Sequence, residues 1–404
     1  MRPRPAPALT GLLLTSLASL PLAGQRSTPT LDFSGPPGSS TPFLTATPSG
    51  GLLLTWFEPR PENRWALRIA SRDAIRWSEP RTVLESDRFF VNWADFPSAV
   101  ETSAGDWVVH WLEKTEAKHY AYHVRVSRSQ DQGRTWSPPL TAHSDRTPTE
   151  HGFVAMVANP DGTVSIAWLD GRRMATDTAG SMSIRAATLR ADGTVAAEST
   201  LDGRTCECCQ VAMAATGSGL VAAYRDRSAD EVRDIAVVRE LGGRWSEPRL
   251  VHADGWAVRG CPVNGPDIDA AAQDVVVAWF TAANGQPRVK AAFSADGGLT
   301  FGRPVVIDEG NPLGRVQVRL LGDGSAVVGW LEAVGDSAQW RARRVTHFGD
   351  RASPITLGPT ARTREAGFAR LDVQGSELFV AWSEPGPDGK VLVHRLPLAA
   401  LPRR

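Results

Sequence analysis

The sequence predicts an all-β fold, a β-propeller of four-stranded blades, and three observations carry that expectation. An apolar run ending in an aromatic residue recurs at Trp56, Trp111, Trp168, Tyr224, Trp279, Trp330 and Trp382. The spacings are 55, 57, 56, 55, 51 and 52 residues. Each run is flanked by two more short apolar or alternating segments, separated by turns such as NPDG, ATGSG and LGDG. No stretch keeps a long helical period, so strands and tight turns are what the pattern allows.

Within a repeat the elements follow in a fixed order. The first strand reads PFLTATP, PSAVETS, FVAMVAN, QVAMAAT, DIDAAAQ, VQVRLLG and FARLDVQ in the successive copies. The aromatic-ended strand comes second. The third reads WALRIASR, YHVRVSRS, SIRAATLR, DIAVVREL, VKAAFSA, WRARRVTH and VLVHRLPL. An outer fourth strand follows, as in PRTVLES and PRLVHAD. Four strands per repeat of this length describe propeller blades. The count of copies favours seven blades over six. The last copy lacks an outer strand, and TPTLDFSG near the N-terminus is expected to supply it and close the ring. Closure removes the exposed sheet edges that invite association.

The first residues read MRPRPAPALTGLLLTSLASLPLAG. Arg2 and Arg4 precede an apolar run from Leu9 to Leu22 and a small-residue site at Ala23-Gly24. That is the pattern of a secretory signal peptide over residues 1–24, leaving 25–404 as one propeller domain. The apolar run is too short for a membrane span. An exported protein, periplasmic or extracellular and monomeric, is the expectation. Lys+Arg and Asp+Glu each number 44, so bulk electrostatics favour neither nucleic acid nor an anionic membrane.

Two segments between third and fourth strands read Ser129-Gln-Asp131-Gln-Gly133-Arg-Thr135-Trp136 and Ser294-Ala-Asp296-Gly-Gly298-Leu-Thr300-Phe301. They resemble the Asp-box (BNR) repeat, S-x-D-x-G-x-T-W/F, of the sialidase superfamily. Degenerate copies stand at Ser71-Arg-Asp73 and Gly242-Gly-Arg-Trp245. The aspartates are expected to lock hairpins through backbone N–H groups and to take no part in chemistry. The resemblance implies a sialidase-like activity on an acidic glycan, or recognition of one. It implies arginines that clamp a carboxylate, a Tyr nucleophile assisted by Glu, and an Asp acid.

Loops entering first strands and loops leaving second strands meet at one rim of the channel. Placed there, the implied catalytic residues are Asp170, Tyr224, Asp95 and Glu150. The implied substrate-binding residues are Arg172, Arg225, Arg227, Arg259, Arg315 and His151. The chain departs from the family in having only Tyr120, Tyr122 and Tyr224, and in lacking the Phe-Arg-Ile-Pro segment.

The same rim collects all four cysteines. Cys206, Cys208 and Cys209 fall in RTCECCQ, and Cys261 follows 52 residues after Cys209, one blade on. Cys206 and Cys208 are expected to alternate on an extended chain and point to one side. Three or four thiolates suit a soft ion, Cu(I) or Zn(II), with His151 nearby. Export makes disulfides the rival reading, including a vicinal Cys208–Cys209 bond or a bridge to Cys261; a free reactive thiol is the third. A non-hydrolytic metal-binding propeller and a protein-binding scaffold therefore stand beside the sialidase-like reading. His119 and His123 have HxxxH spacing, but on a strand that spacing gives no shared ligand face. His143 and His252 read as surface or core residues.

Overall fold

Seven antiparallel sheets form, one for each copy of the aromatic-ended strand, in a computed structural model that describes residues 28–115, 120–176, 180–196 and 198–403. The signal-peptide segment 1–24 and His119 lie outside the described residues. In the first blade Ser40–Ala46, Leu52–Arg60, Arg64–Arg72 and Arg81–Ser86 pair in sequence order. The next five blades repeat that order, and the fourth blade adds a second short outer strand, Arg249–Leu250. The protein is thus a seven-bladed β-propeller.

The ring closes as the sequence indicates. Thr30–Ser34 pairs antiparallel with Val391–Pro397 and becomes the outer strand of the last blade. Phe33 packs edge-on to Trp56 at 5.3 Å and against Trp77 at 5.5 Å. Asp32 accepts hydrogen bonds from Arg72 Nε at 2.8 Å and Trp77 Nε1 at 2.7 Å, and pairs with Arg395 at 3.0 Å. One carboxylate thereby ties the closing strand to both of the blades it joins.

The repeat aromatics form the inter-blade core. Trp56, Trp111, Trp168, Tyr224, Trp279, Trp330 and Trp382 are all at most 3% exposed. Seven buried copies at one repeat position identify packing as their role, since large rings fill the wedge between twisted sheets. Tyr224 is one of them, which matters below.

Both S-x-D-x-G-x-T segments fold into the same turn. Asp131 Oδ1 accepts from Thr135 N at 2.9 Å and Oδ2 from Thr135 Oγ1 at 2.7 Å. Asp296 repeats this with Thr300 at 2.9 and 2.6 Å. These bonds favour the ionised carboxylate and hold Asp131 down at about 2, the Thr135 amide contributing most. Gly133 and Gly298 take positive φ at the corner of each turn.

Candidate functional site

The cysteine segment joins the outer strand of the third blade, Ser199–Thr205, to the inner strand of the fourth, Ala212–Thr216. Residues 206–209 form a turn where the sequence reading had an extended chain. That difference has a chemical consequence, because a turn brings residues i and i+3 together. Cys209 Sγ lies 3.3 Å and Cys208 Sγ 4.0 Å from Cys206 Sγ. All three sulfurs lie within 4.8 Å of one another. None is at the roughly 2.05 Å of a disulfide bond, and the four cysteines are free thiols. Around one ion at a Zn–S bond of about 2.3 Å, three thiolates would stand about 3.8–4.0 Å apart, the range these sulfurs bracket.

Neighbouring blades hold the turn in place. Cys206 N donates to Arg225 O at 3.0 Å. Gln210 donates through Nε2 to Ala94 O at 2.7 Å and accepts from Gly265 N at 3.1 Å. Gly265 must be glycine here: a Cβ would stand 2.2 Å from the carbonyl oxygen of Gln210. The turn is therefore fastened to the second and fifth blades at once.

Burial of the sulfurs is graded. Cys206 is 1% and Cys209 2% exposed, Cys208 is half-buried and Cys261 is exposed. Arg233 Nη1 donates to Cys206 Sγ at 3.2 Å and to Glu207 Oε2 at 2.8 Å, and Nη2 donates to Glu231 Oε2 at 2.9 Å. Arg227 is paired with the same two glutamates. Hydrogen bonds from Cys208 and Cys209, opposed by burial and assisted by the charge of Arg225, hold the Cys206 thiol well below its ordinary value. Burial and the Cys206 sulfur push Cys209 up. The sequence reading did not single out Glu207, Glu231 or Arg233. The signal available for Glu231 and Arg233 was the run of charged residues leading into an apolar strand, and for Glu207 its place between Cys206 and Cys208.

The residues implied as catalytic fall in three separate settings. Tyr224 is fully buried in the inter-blade core and donates to Asp202 Oδ2 at 2.7 Å. Asp170, also fully buried, accepts from Trp168 Nε1 at 2.8 Å and from Arg172 Nε and Nη2, each at 2.7 Å. Burial raises its pKa, but Arg172, His151 and Trp168 outweigh that and keep it below the usual carboxylate value. A group so held has no proton to donate near neutrality.

Asp95 and Glu150 differ. Asp95 lines the central channel, accepts from Phe153 N at 2.8 Å, and is pushed up to about 7, chiefly by burial. Gly152 permits this approach, since a Cβ there would stand 2.4 Å from Asp95 Oδ2. Glu150 is also raised to about 7 by burial, and it accepts from Tyr122 Oη at 3.3 Å. The tyrosine that meets a glutamate is thus Tyr122, which the sequence reading did not favour. It is 2% exposed and stacks on Phe90 at 4.1 Å.

The arginines are largely engaged with the protein itself. Arg225 is 2% exposed and donates to Asn264 O at 3.0 and 2.7 Å, Phe280 O at 2.7 Å and Arg233 O at 2.6 Å. Arg315 donates to Gly367 O at 2.8 Å and Thr363 O at 3.1 Å, and lies over the Trp93 ring at 4.9 Å. Arg172 is bound to Asp170 and to Glu198, and Arg227 to Glu207 and Glu231. Arg259 is exposed, without a hydrogen bond or ion pair among the described residues. Of these five guanidiniums only that of Arg259 is unengaged among the described residues.

His151 is fully buried, with Nδ1 3.1 Å from both Tyr122 O and Thr149 O and Nε2 2.9 Å from Asp145 Oδ2. His143 stacks on it at 4.0 Å, and His123 lies edge-on at 5.2 Å. The three offer ring nitrogens within 4.8 Å of one another. His143, however, uses both nitrogens, accepting from Val124 N at 3.3 Å and facing Asp145 O at 3.0 Å. A ligand needs a free lone pair, and of the three only His123 has a buried nitrogen, Nδ1, without a hydrogen-bond partner, so this cluster is better explained as packing around two engaged histidines.

Comparison with known proteins places the fold and leaves the chemistry open. No family model matches the chain, and no curated protein matches it. Solved structures do. An α-L-arabinanase from Penicillium chrysogenum aligns over 93% of this chain and 99% of its own, with a TM-score of 0.52 and 13% identity. The polysaccharide lyase Uly1 covers 94% of each chain at a TM-score of 0.53 and 9% identity. The intramolecular trans-sialidase from Ruminococcus gnavus covers 93% of this chain and 98% of its own, at a TM-score of 0.50 and 9% identity. The chain shares the β-propeller fold of these proteins. At such identities the likeness is one of fold alone, and these neighbours already perform different reactions on it.

Proposed function

We propose that the protein is an exported β-propeller that binds a soft metal ion, Cu(I) or Zn(II), through Cys206, Cys208 and Cys209 at the channel rim. The observation that carries this reading is the convergence of three free sulfurs within 4.8 Å on a turn fastened from two other blades. Thiolates select soft ions, and a site held rigid by its surroundings loses little order on binding. The test is elemental analysis of the mature protein, exported and purified under reducing conditions without chelator. The expected result is about one equivalent of copper or zinc per chain, lost in Cys206→Ser. A metal-free wild type that takes up neither ion on reconstitution overturns the reading.

A second reading has one observation in its favour. Tyr122, Glu150 and Asp95 bring a phenol and two carboxyl groups with pKa values near 7 to the same side of the channel mouth. Such raised carboxyls are poised for acid–base work, as an enzyme acting on a glycan requires. Against it, Tyr122 is packed beneath Phe90 and most rim arginines are bound within the protein. A metal-free protein that hydrolyses a fluorogenic sialoside would replace the first reading with this one.

A further inference from the structure

We propose that the rim site takes monovalent copper and exchanges it with a thiol-bearing carrier through Cys208 and Cys261. The inference rests on the reading of Cys206, Cys208 and Cys209 as a metal site, and it adds the ion and the route. Charge bears on the ion. The Arg233 guanidinium, 3% exposed, sits 3.2 Å from Cys206 Sγ. Its repulsion of a bound ion scales with that ion's charge, as the attraction of the thiolates does, so it offsets part of what a second positive charge would gain there. The carboxylates that would counter this repulsion, Glu207 and Glu231, are already paired with Arg227 and Arg233. Ligand number points the same way. Closed zinc sites take four ligands in a tetrahedron, and here three sulfurs converge while the fourth cysteine stands outside the group. Soft thiolates whose neighbouring carboxylates are held by arginines suit Cu(I).

The graded exposure of the cysteines sets the route. Cys206 and Cys209 are the buried anchors, Cys208 is half-buried, and Cys261 is exposed on the loop that enters the fifth blade. Cys261 stands four residues before Gly265, whose N–H donates to Gln210 Oε1 at 3.1 Å, so its loop is tied to the residue that follows Cys209. An ordered series of thiols from core to solvent is what stepwise ligand exchange needs. Each step breaks one Cu–S bond for each one formed. The proton of the incoming thiol passes to the departing sulfur. Copper stays monovalent and nothing is oxidised. Cys261 gives the incoming ligand a place to meet the ion before the inner thiolates release it.

The experiment uses the mature protein, reduced and loaded with one equivalent of Cu(I), with bathocuproine disulfonate as acceptor. Equilibrium competition measures affinity, and stopped-flow absorbance measures the rate of withdrawal. In Cys261→Ser the loss of rate should exceed the loss of affinity by at least about tenfold. Alkylating the exposed Cys261 of the loaded wild type with iodoacetamide should do the same without any change of sequence. Equal losses of rate and affinity, or no loss of rate, would overturn the route. Retention of zinc against an equal concentration of Cu(I) would overturn the ion. Wild type that binds no more copper than Cys206→Ser is a different failure, that of the metal site itself.

Discussion

At the scale of single residues, the rim sorts into groups engaged with the protein and groups left unsettled by it. Asp95 is the clearest of the second kind. Burial raises its carboxyl to about 7, while the unfolded chain returns it to the ordinary value near 4. Folding therefore takes up a proton between those values. The stability linked to Asp95 is complete below about pH 4 and is lost as the pH rises through 7. Asp95→Asn keeps an oxygen to accept from Phe153 N but cannot ionise. In urea unfolding the variant should gain on wild type between pH 5 and pH 8, by on the order of 1–3 kcal/mol. Glu150 and Arg370, the charged neighbours, are common to both proteins, so their titration largely cancels in the difference. A pH-independent difference would show that Asp95 is not the group that titrates.

At the scale of elements, the repeat aromatics and the closing strand were legible from the sequence because their causes are local. The missing outer strand of the last repeat left one place for TLDFS, where Phe33 packs against Trp56 and Trp77. The engagements of the rim residues were not legible in the same way. Arg225 donates to carbonyls 39 and 55 residues away, and which carbonyls face it depends on how blades pack, not on spacing. Tyr122 meets Glu150 for the same reason, while Tyr224, in the aromatic position of its repeat, was committed to the core. The cysteines stood between these cases: their shared loop was readable, their turn was not. The closing strand yields a direct prediction. Starting the mature chain at Gly35 removes the partner of Val391–Pro397 and leaves that strand as an open edge. It also unpairs Arg72, which is buried and bound to Asp32. The truncated protein should melt at lower temperature and form higher-order species on size exclusion, as open edges do. A monomer with an unchanged melting temperature would mean that six closed blades hold the ring unaided.

At the scale of the whole molecule, the cysteine turn is a junction as well as a ligand set. It hangs between the third and fourth blades and is bonded to the second through Ala94 and to the fifth through Gly265, on the loop that carries Cys261. An ion bound there contacts the folded state at a point where several blades meet. The sulfurs of an unfolded chain, held only by the covalent CxCC sequence, would bind it more weakly. Binding must then stabilise the propeller by the linkage RT ln(1 + [L]/Kd), about 2.7 kcal/mol at a hundredfold excess over Kd. Because the blades share one closed ring, that gain should appear as a rise of the single melting transition, not as the separation of a metal-dependent piece. Differential scanning calorimetry of reduced protein with and without Cu(I) measures it. The expected outcome is a higher transition temperature in wild type and none in Cys206→Ser, whose buried sulfur anchors the set. Equal shifts in both proteins would place the ion elsewhere. A second, separate transition on adding copper would mean that the turn is not coupled to the ring, contrary to the bonds that Gln210 makes on either side.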